Sequence, residues 1–589
     1  MNPRVHHKLF YVFLILLPLS LAPARAQTLL IKGGTLIDGT GSAPLPNARV
    51  FVVDGVIQKV WSGDLGAPSM PADVKVVEAT GKYLIPGLIE SHIHYAWYEG
   101  ELFLHYGVTS VFDLGGGRWS ESLQKAVNEG LYVAPRYYHH ATLGDGANGK
   151  ADPLAGTDTA KTRVLANVNT PADADAAVSA VKGHADIITL NEDWKREEFI
   201  AVAKAAHAQG LSIISHSFNA LNTSDWGVDG TEHMTGVGIA ATRSEEGKKA
   251  IAEMGFCNHA YPPILEQSLH CIAAGHKNSL LYRWMDPGSF DEIISHLVQN
   301  HTFLNPTLDF EWGGIIDRSQ QFETEDEKLL TNSNLQYVPY DERLEFMDQY
   351  HWADNRTPEE HGEFTKGYKN IQLFLKKFVA AGGKLYSGTD SASANVPGLA
   401  IHHEMQIYVD AGIPPMKALQ SSTIWPAQMA RMDKWLGSVE AGKYGDVVIL
   451  SGDPLTDIHN TELVETVIKG GVVQDISFHP DYDLPFHIAA GSGAKHLYSL
   501  PPLVDNLIPG SVRQGDDVWM KVTGANFSPN STVIFDGSPV ETRWLSDKQL
   551  SAHLTGRHTF NGGTYLIGVS TPKPGGGVAE GLNFVVVYK

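Results

Sequence analysis

Three rhythms of apolar and polar positions divide this 589-residue chain. The first is an unbroken apolar run, "LFYVFLILLPLSLA", preceded by Arg4 and Lys8 and followed by "ARA" before Gln27. A positive start, an apolar centre and a small-residue end have the form of a secretory signal peptide over residues 1–26. The run is short for a membrane span and contains Pro18, so export to a periplasmic or secreted location is expected, with no stable membrane span after cleavage. The second rhythm, from residue 27 to 80, alternates apolar and polar positions between Gly-rich turns ("LLIKGGTLIDGTG", "ARVFVVDGVIQKVW"), which predicts short strands of a small β-sandwich.

The third rhythm occupies residues 81–436. Short strands that are mostly apolar ("GVTSVFDLGG", "ADIITLNEDW", "LSIISHSF") alternate with helical stretches such as "EEFIAVAKAAHAQG". Strands apolar on both faces between helices predict an α/β protein with a covered parallel sheet. The length suits a (β/α)8 barrel, which carries its chemistry at the C-terminal ends of its strands. Residues 242–377 are longer than one strand-helix unit requires and are expected to form an insertion that builds a pocket wall or lid. The β texture returns at 437–480, a linker follows at 481–500, and short strands between turn residues predict an Ig-like sandwich over 501–589.

A formal net charge of -21 argues against nucleic acid or an anionic membrane surface as the main partner and says little else. Cys257 and Cys271 are the only cysteines, too few for a disulfide framework or a cysteine-built zinc site; whether they pair stays open, as does the oligomeric state.

The chemistry is concentrated at strand ends. In "LIPGLIESHIHYAW", His92 and His94 stand two apart, on the same side of an extended segment, where they can bind one ion together. "LSIISHSFN" ends in His216, "GTEHM" carries His233, and "KLYSGTDS" carries Asp390. Each alone is more often a satisfied polar residue than a ligand; the ordered set is far more specific. Arg136, Tyr137 and Tyr138 in "APRYYHH" are candidates for reading a substrate carboxylate. Trp97, Trp194 and Trp226 are candidates for an aromatic pocket, or else ordinary loop anchors.

These stretches resemble the metal-dependent amidohydrolase superfamily over residues 28–480, nearest its imidodipeptidase (prolidase-like) and imidazolonepropionase-like branches. "YLIPGLIESHIH" is similar to the first-strand signature, with Glu90 where Asp is commoner, and "YSGTDS" to the last-strand signature. "GLAIHHEMQIYVDAGIPPMKALQSSTIWPAQMARM" and the following "LGSVEAGKYGDVVILSGDPLTDI" resemble the closing helices and the return to the sandwich. The C-terminal stretch "GDDVWMKVTGANFSPNSTVIFDG" resembles an IPT/TIG Ig-like domain. The resemblance implies one composite β-sandwich built from 27–80 and 437–480 and flanking the barrel. It also implies that His92 and His94 are first-strand metal ligands, His216 and His233 the fifth- and sixth-strand histidines, and Asp390 the eighth-strand aspartate.

One departure matters. Two-metal members carry a bridging lysine on the fourth strand, and here Thr189 stands in its place. The set that follows is one divalent ion, zinc by the His/Asp donors, held by His92, His94, His216 and Asp390, with His233 near the bound water. The alternative is a two-metal site that engages His233 and is bridged by Glu192. The implied reaction is hydrolysis of a C–N bond in an amide or dipeptide-like molecule by metal-activated water, with Asp390 as proton acceptor and His233 facing the developing oxyanion. Two other readings compete. One is a mononuclear deaminase or cyclic-amide hydrolase, against which "HSFNALNTSDW" offers no Glu shortly after His216; the other is a non-catalytic binding protein on a degenerate barrel.

Overall fold

The computed structural model describes residues 28–115, 120–145, 164–190, 194–217, 219–254, 279–354, 356–391, 395–483, 502–571 and 577–588. The signal segment, Glu192, Cys257, Cys271 and most of the expected linker lie outside the described residues.

Seven parallel strands follow one another around the barrel: Leu88–Ile93, Val108–Asp113, Arg136–Asp145, Ile187–Thr189, Ser212–Ser215, Gly230–Glu232 and Phe303–Asn305. The extended segment 384–391 completes the ring as an eighth member. It is bonded on one side to the seventh strand (Tyr386 N–H to Leu304 C=O, 3.0 Å) and on the other to the first (Asp390 N–H to His92 C=O, 2.9 Å). Every residue of the first two strands is buried, as expected of strands covered on both faces. Ile89, Phe112, Tyr138, Ile187, Ile214, Phe303 and Tyr386 pack with Ala427, Met429 and Leu436 into one apolar cluster inside the ring.

The stretch 242–377, expected as a single insertion, is divided by the seventh strand. Helix Phe290–Gln299 and strand Phe303–Asn305 form an ordinary barrel unit. The added helices that follow it are Leu308–Trp312, Ser319–Leu330, Tyr340–Asp348 and Pro358–Ala380. Three residues of strand are too few to show a period of two, which is why the sequence pattern does not mark it.

The flanking β region is composite. Strands Thr28–Leu36, Leu45–Val53, Val56–Ser62, Lys75–Glu78 and Tyr83–Pro86 share one eight-stranded sheet with Val447–Leu450, Val464–Lys469 and Val472–Val473. The joint is the antiparallel pair in which Leu84 faces Ile449. Residues 503–571 and 577–587 form a four-stranded and a five-stranded sheet around Met520, Val522, Val533, Leu550, Ile567 and Phe584. Among the described residues, no helix is long and apolar enough to cross a membrane.

Candidate metal centre

His92 lies on the first barrel strand and is fully buried. Its Nδ1–H donates to Glu232 Oε2 at 2.5 Å, and the Tyr386 hydroxyl donates to Glu232 Oε1 at 2.7 Å. Glu232 ends the sixth strand, so three strands fix one imidazole. His92 Nε2, also buried, has no hydrogen-bond partner and lies 3.5 Å from Asp390 Oδ1. A carboxylate on one ring nitrogen with the other left bare is the arrangement that orients a metal-ligating histidine. Close packing serves the same end: a Cβ on Gly388 would stand 2.3 Å from His92 Cβ.

The other sequence candidates converge on this point. His94 Nε2 is 2.9 Å from Asp390 Oδ1, with its side chain 42% exposed toward the mouth of the barrel. The His216 ring lies 6.0 Å from that of His92 and 5.3 Å from that of His233. His233 Nδ1 bonds the Thr307 hydroxyl at 2.6 Å, and its Nε2 is 3.9 Å from Asp390 Oδ2. The four ligands expected for one ion do not stand as one group. They divide into His92, His94 and Asp390 on one side and His92, His216 and His233 on the other, with His92 shared. Three residues here take left-handed backbone conformations that side chains rarely adopt: His233 (φ 59°), Thr307 (φ 48°) and Asp390 (φ 58°). Such positions cluster at functional sites, where the surrounding structure holds them.

Burial opposes the ionised form of both His92 and Asp390. The carboxylates of Glu232 and Asp390 outweigh it for His92 and raise that imidazole to about 9. For Asp390, His92, His94 and His233 outweigh burial and hold the carboxyl well below the usual range.

Three further groups at the centre carry no mark in the sequence reading. Glu232 is the partner of His92. His140, on the third strand, bonds the Thr189 hydroxyl through Nδ1 at 2.6 Å. Glu311, from the added helix Leu308–Trp312, stands 3.7 Å from His233 Nδ1 and accepts from the Tyr282 hydroxyl at 3.1 Å; burial pushes its carboxyl up to about 8. A signal existed only for Glu232, which is next to His233 and in phase with the inward face of its strand.

The substrate-reading candidates do not gather here. Arg136 starts the third strand, at the opposite end of the barrel, where it makes two 3.1 Å bonds to Asp446 and covers the Tyr444 ring. Tyr137 is buried and donates to Asp113, with Ser120 Oγ 3.1 Å away. Tyr138 packs edge-on to Phe112 in the apolar cluster. Period two explains the miss: a strand that presents His140 inward must present Tyr138 and Arg136 deeper on the same face. Trp194 and Trp226 belong to a separate apolar cluster with Phe199. Trp97 packs against Tyr98 and Tyr337.

The donors fit a divalent ion. Imidazole nitrogens and one carboxylate can hold a divalent ion with an open position, and the bare buried His92 Nε2 faces Asp390 Oδ1, which His94 also approaches, where an ion would lie.

Residues 325–473 match the amidohydrolase family model. Adenine deaminase 1 of Bradyrhizobium sp. (strain ORS 278) is 33% identical over 107 residues, 18% of this chain and 16% of that protein. The dihydroorotase of Pelotomaculum thermopropionicum is 41% identical over 66 residues, 11% of this chain and 14% of that one. The chain therefore spans less than a fifth of the length of these curated relatives. The structure of a molinate hydrolase superposes with a TM-score of 0.50 at 18% identity, over 77% of this chain and 95% of that one. That likeness is one of fold alone, and the conclusion rests on the family match: over residues 325–473 the chain carries an amidohydrolase family domain.

Proposed function

We propose that this chain is a metal-dependent hydrolase that cleaves a C–N bond in small amide- or dipeptide-like molecules, and that it works after export. The observation that carries the reading is the Glu232–His92 pair, which leaves a buried, bare Nε2 facing Asp390 at the C-terminal mouth of the barrel. Zinc bound by these residues would supply an activated water at neutral pH and polarise a carbonyl oxygen.

The side chains account for the rest. Asp390, ionised, is the acceptor for the proton of the attacking water, and Oδ2 can pass it on to the departing nitrogen. His233 is held at Nδ1 by Thr307, so its Nε2 faces the same space as Asp390 and can donate to an oxygen that gains charge. Glu311 closes the site behind His233 and comes from the helices added after the seventh strand, so those helices set the shape of the substrate space. Deaminase and cyclic-amide chemistry remain the competing reading, favoured by the short matches to an adenine deaminase and a dihydroorotase.

The test is a panel of dipeptides, N-acyl amino acids, cyclic amides and aminopurines offered to the zinc-loaded full chain. At least one linear amide should be cleaved, with turnover lost on chelation and restored by zinc. Ammonia release from aminopurines alone would transfer the assignment to deamination. A protein that binds zinc fully and turns over nothing in the panel would leave the binding-protein reading standing.

A further inference from the structure

The apolar cluster inside the barrel defines a layer, and period two defines the layer above it. Tyr138, Ile187 and Ile214 lie in the cluster on the third, fourth and fifth strands. Two residues further along each strand, on the same inward face, stand His140, Thr189 and His216. Strand pairing sets the register: the third and fourth strands run side by side with Ile187 opposite His140 and Thr189 opposite Thr142. His140 therefore faces the barrel interior beside Thr189 of the next strand.

His140 is only 4% exposed. Its Nδ1 is fixed by the Thr189 hydroxyl at 2.6 Å, and its Nε2 is buried with no hydrogen-bond partner. Interior polar atoms are nearly always satisfied, and a bare one calls for a ligand. The charged groups that act on this ring are His94, His139 and His92, two of them proposed ligands.

We propose that His140 is an additional metal ligand, presented by the third strand through Nε2, with Thr189 as its positioning residue. Nδ1–H donates to the Thr189 oxygen, and Nε2 keeps its lone pair for the ion. Thr189 stands where two-metal relatives are expected to have a bridging lysine. The exchange replaces an anionic bridge by one neutral nitrogen, which suits a single ion. This inference rests on the metal-centre reading above, and its test separates the two.

Full-length His140→Ala, His140→Gln, Thr189→Val and His92→Ala would be loaded with zinc or cobalt. Zinc affinity would be read by competition with a chromogenic chelator and the ligand field by cobalt(II) absorption, with circular dichroism and thermal melting to check folding. Both His140 variants should bind zinc at least about 10-fold more weakly and shift the cobalt bands, and Thr189→Val should weaken zinc in the same direction by about 10-fold. His140→Gln keeps the bulk of the side chain, so it and Thr189→Val decide the matter should the alanine variant fail to fold. Wild-type affinity and unchanged cobalt bands in folded His140 variants, with metal lost from His92→Ala, overturn the role of His140 alone. Metal retained by His92→Ala overturns the centre itself, and this inference with it.

Discussion

Among the described residues, two clusters of histidines and carboxylates are built to opposite ends. At the strand ends, His92 is bonded on one nitrogen and bare on the other, and Asp390 stands across from the bare one. Glu325, His459 and Glu462 also lie close enough to share an ion, between helix Ser319–Leu330 and the segment Ile458–Glu462. There, however, amides occupy the donors. Gln321 donates to Glu325 at 2.9 Å, Gln406 donates to Glu462 at 2.8 Å, and His459 Nδ1 lies 3.3 Å from Gln406 Oε1. His403, stacked on Phe322 at 3.8 Å, bonds Glu325 from behind. Residue types alone do not make a metal centre. What separates the two clusters is whether the second shell holds one atom of each ligand and frees the other, or satisfies both.

That contrast can be broken at several points. The largest effect belongs to His92→Ala and His94→Ala, which should lose bound metal and activity together; metal content by elemental analysis decides, and full occupancy in both would make the pair structural. Next comes Asp390→Asn, which keeps an oxygen toward the ion but cannot accept a proton. Turnover at equal metal occupancy should fall by at least about 10²-fold, and near-normal turnover would move the proton transfer to His233. Glu232→Gln should be milder, weakening metal affinity by about 10- to 100-fold through the loosened His92 ring. Unchanged affinity there would remove the second-shell argument from the comparison.

The second cluster should respond in stability rather than in metal. Asp326 is buried against Tyr350, and burial raises its carboxyl from 3.8 to about 7. The folded state then holds the proton more tightly than the unfolded one, so this group costs nothing below the unfolded value. Its cost grows as the pH rises from about 4 to about 7 and is complete above that. Asp326→Asn lacks the titration, so its urea midpoint relative to wild type should rise between pH 4.5 and 7.5; a constant difference would show that the carboxyl stays ionised throughout. The smallest effect is expected of Glu462→Gln, which should leave metal content and turnover where they are. A drop of one ion per chain in that variant would make the second cluster a metal site after all.

How much of this was legible in the sequence depends on the range of the signal. Local periodicity was enough for the barrel class and for the strand-end histidines, because period two places His92 and His94 on one face and short apolar runs end at His216 and His233. Asp390 was legible at the end of "KLYSGTDS" and again in the likeness of that stretch to the last-strand signature. Glu232 was not seen as a partner of His92, since the bond joins the first strand to the sixth and only the closed ring brings them together. His140 was hidden in "YYHH", where the eye goes to the tyrosines, and the inward face proved to be that of Tyr138 and His140. The left-handed conformations of His233, Thr307 and Asp390 had no glycine to announce them. The division of the long insertion failed for want of length, because "FLN" is too brief to declare a strand.

The ring closes at a seam, and the seam is where the ligands are. The N–H of Asp390 bonds the carbonyl of His92, and the N–H of His94 bonds the carbonyl of Ser391, so the residues that would grip the ion also stitch the last strand to the first. A short distance below, Tyr83–Pro86 pairs with Val447–Leu450 and ties the same two ends of the chain together in the flanking sheet. In the language of loop closure, the sheet brings the ends of a very long loop together once, and the seam then forms between neighbours at little further entropic cost. An ion held across the seam acts as a rivet on a hoop that the belt has already drawn shut. Its absence should therefore loosen the join between the first and eighth strands well before it unfolds the barrel.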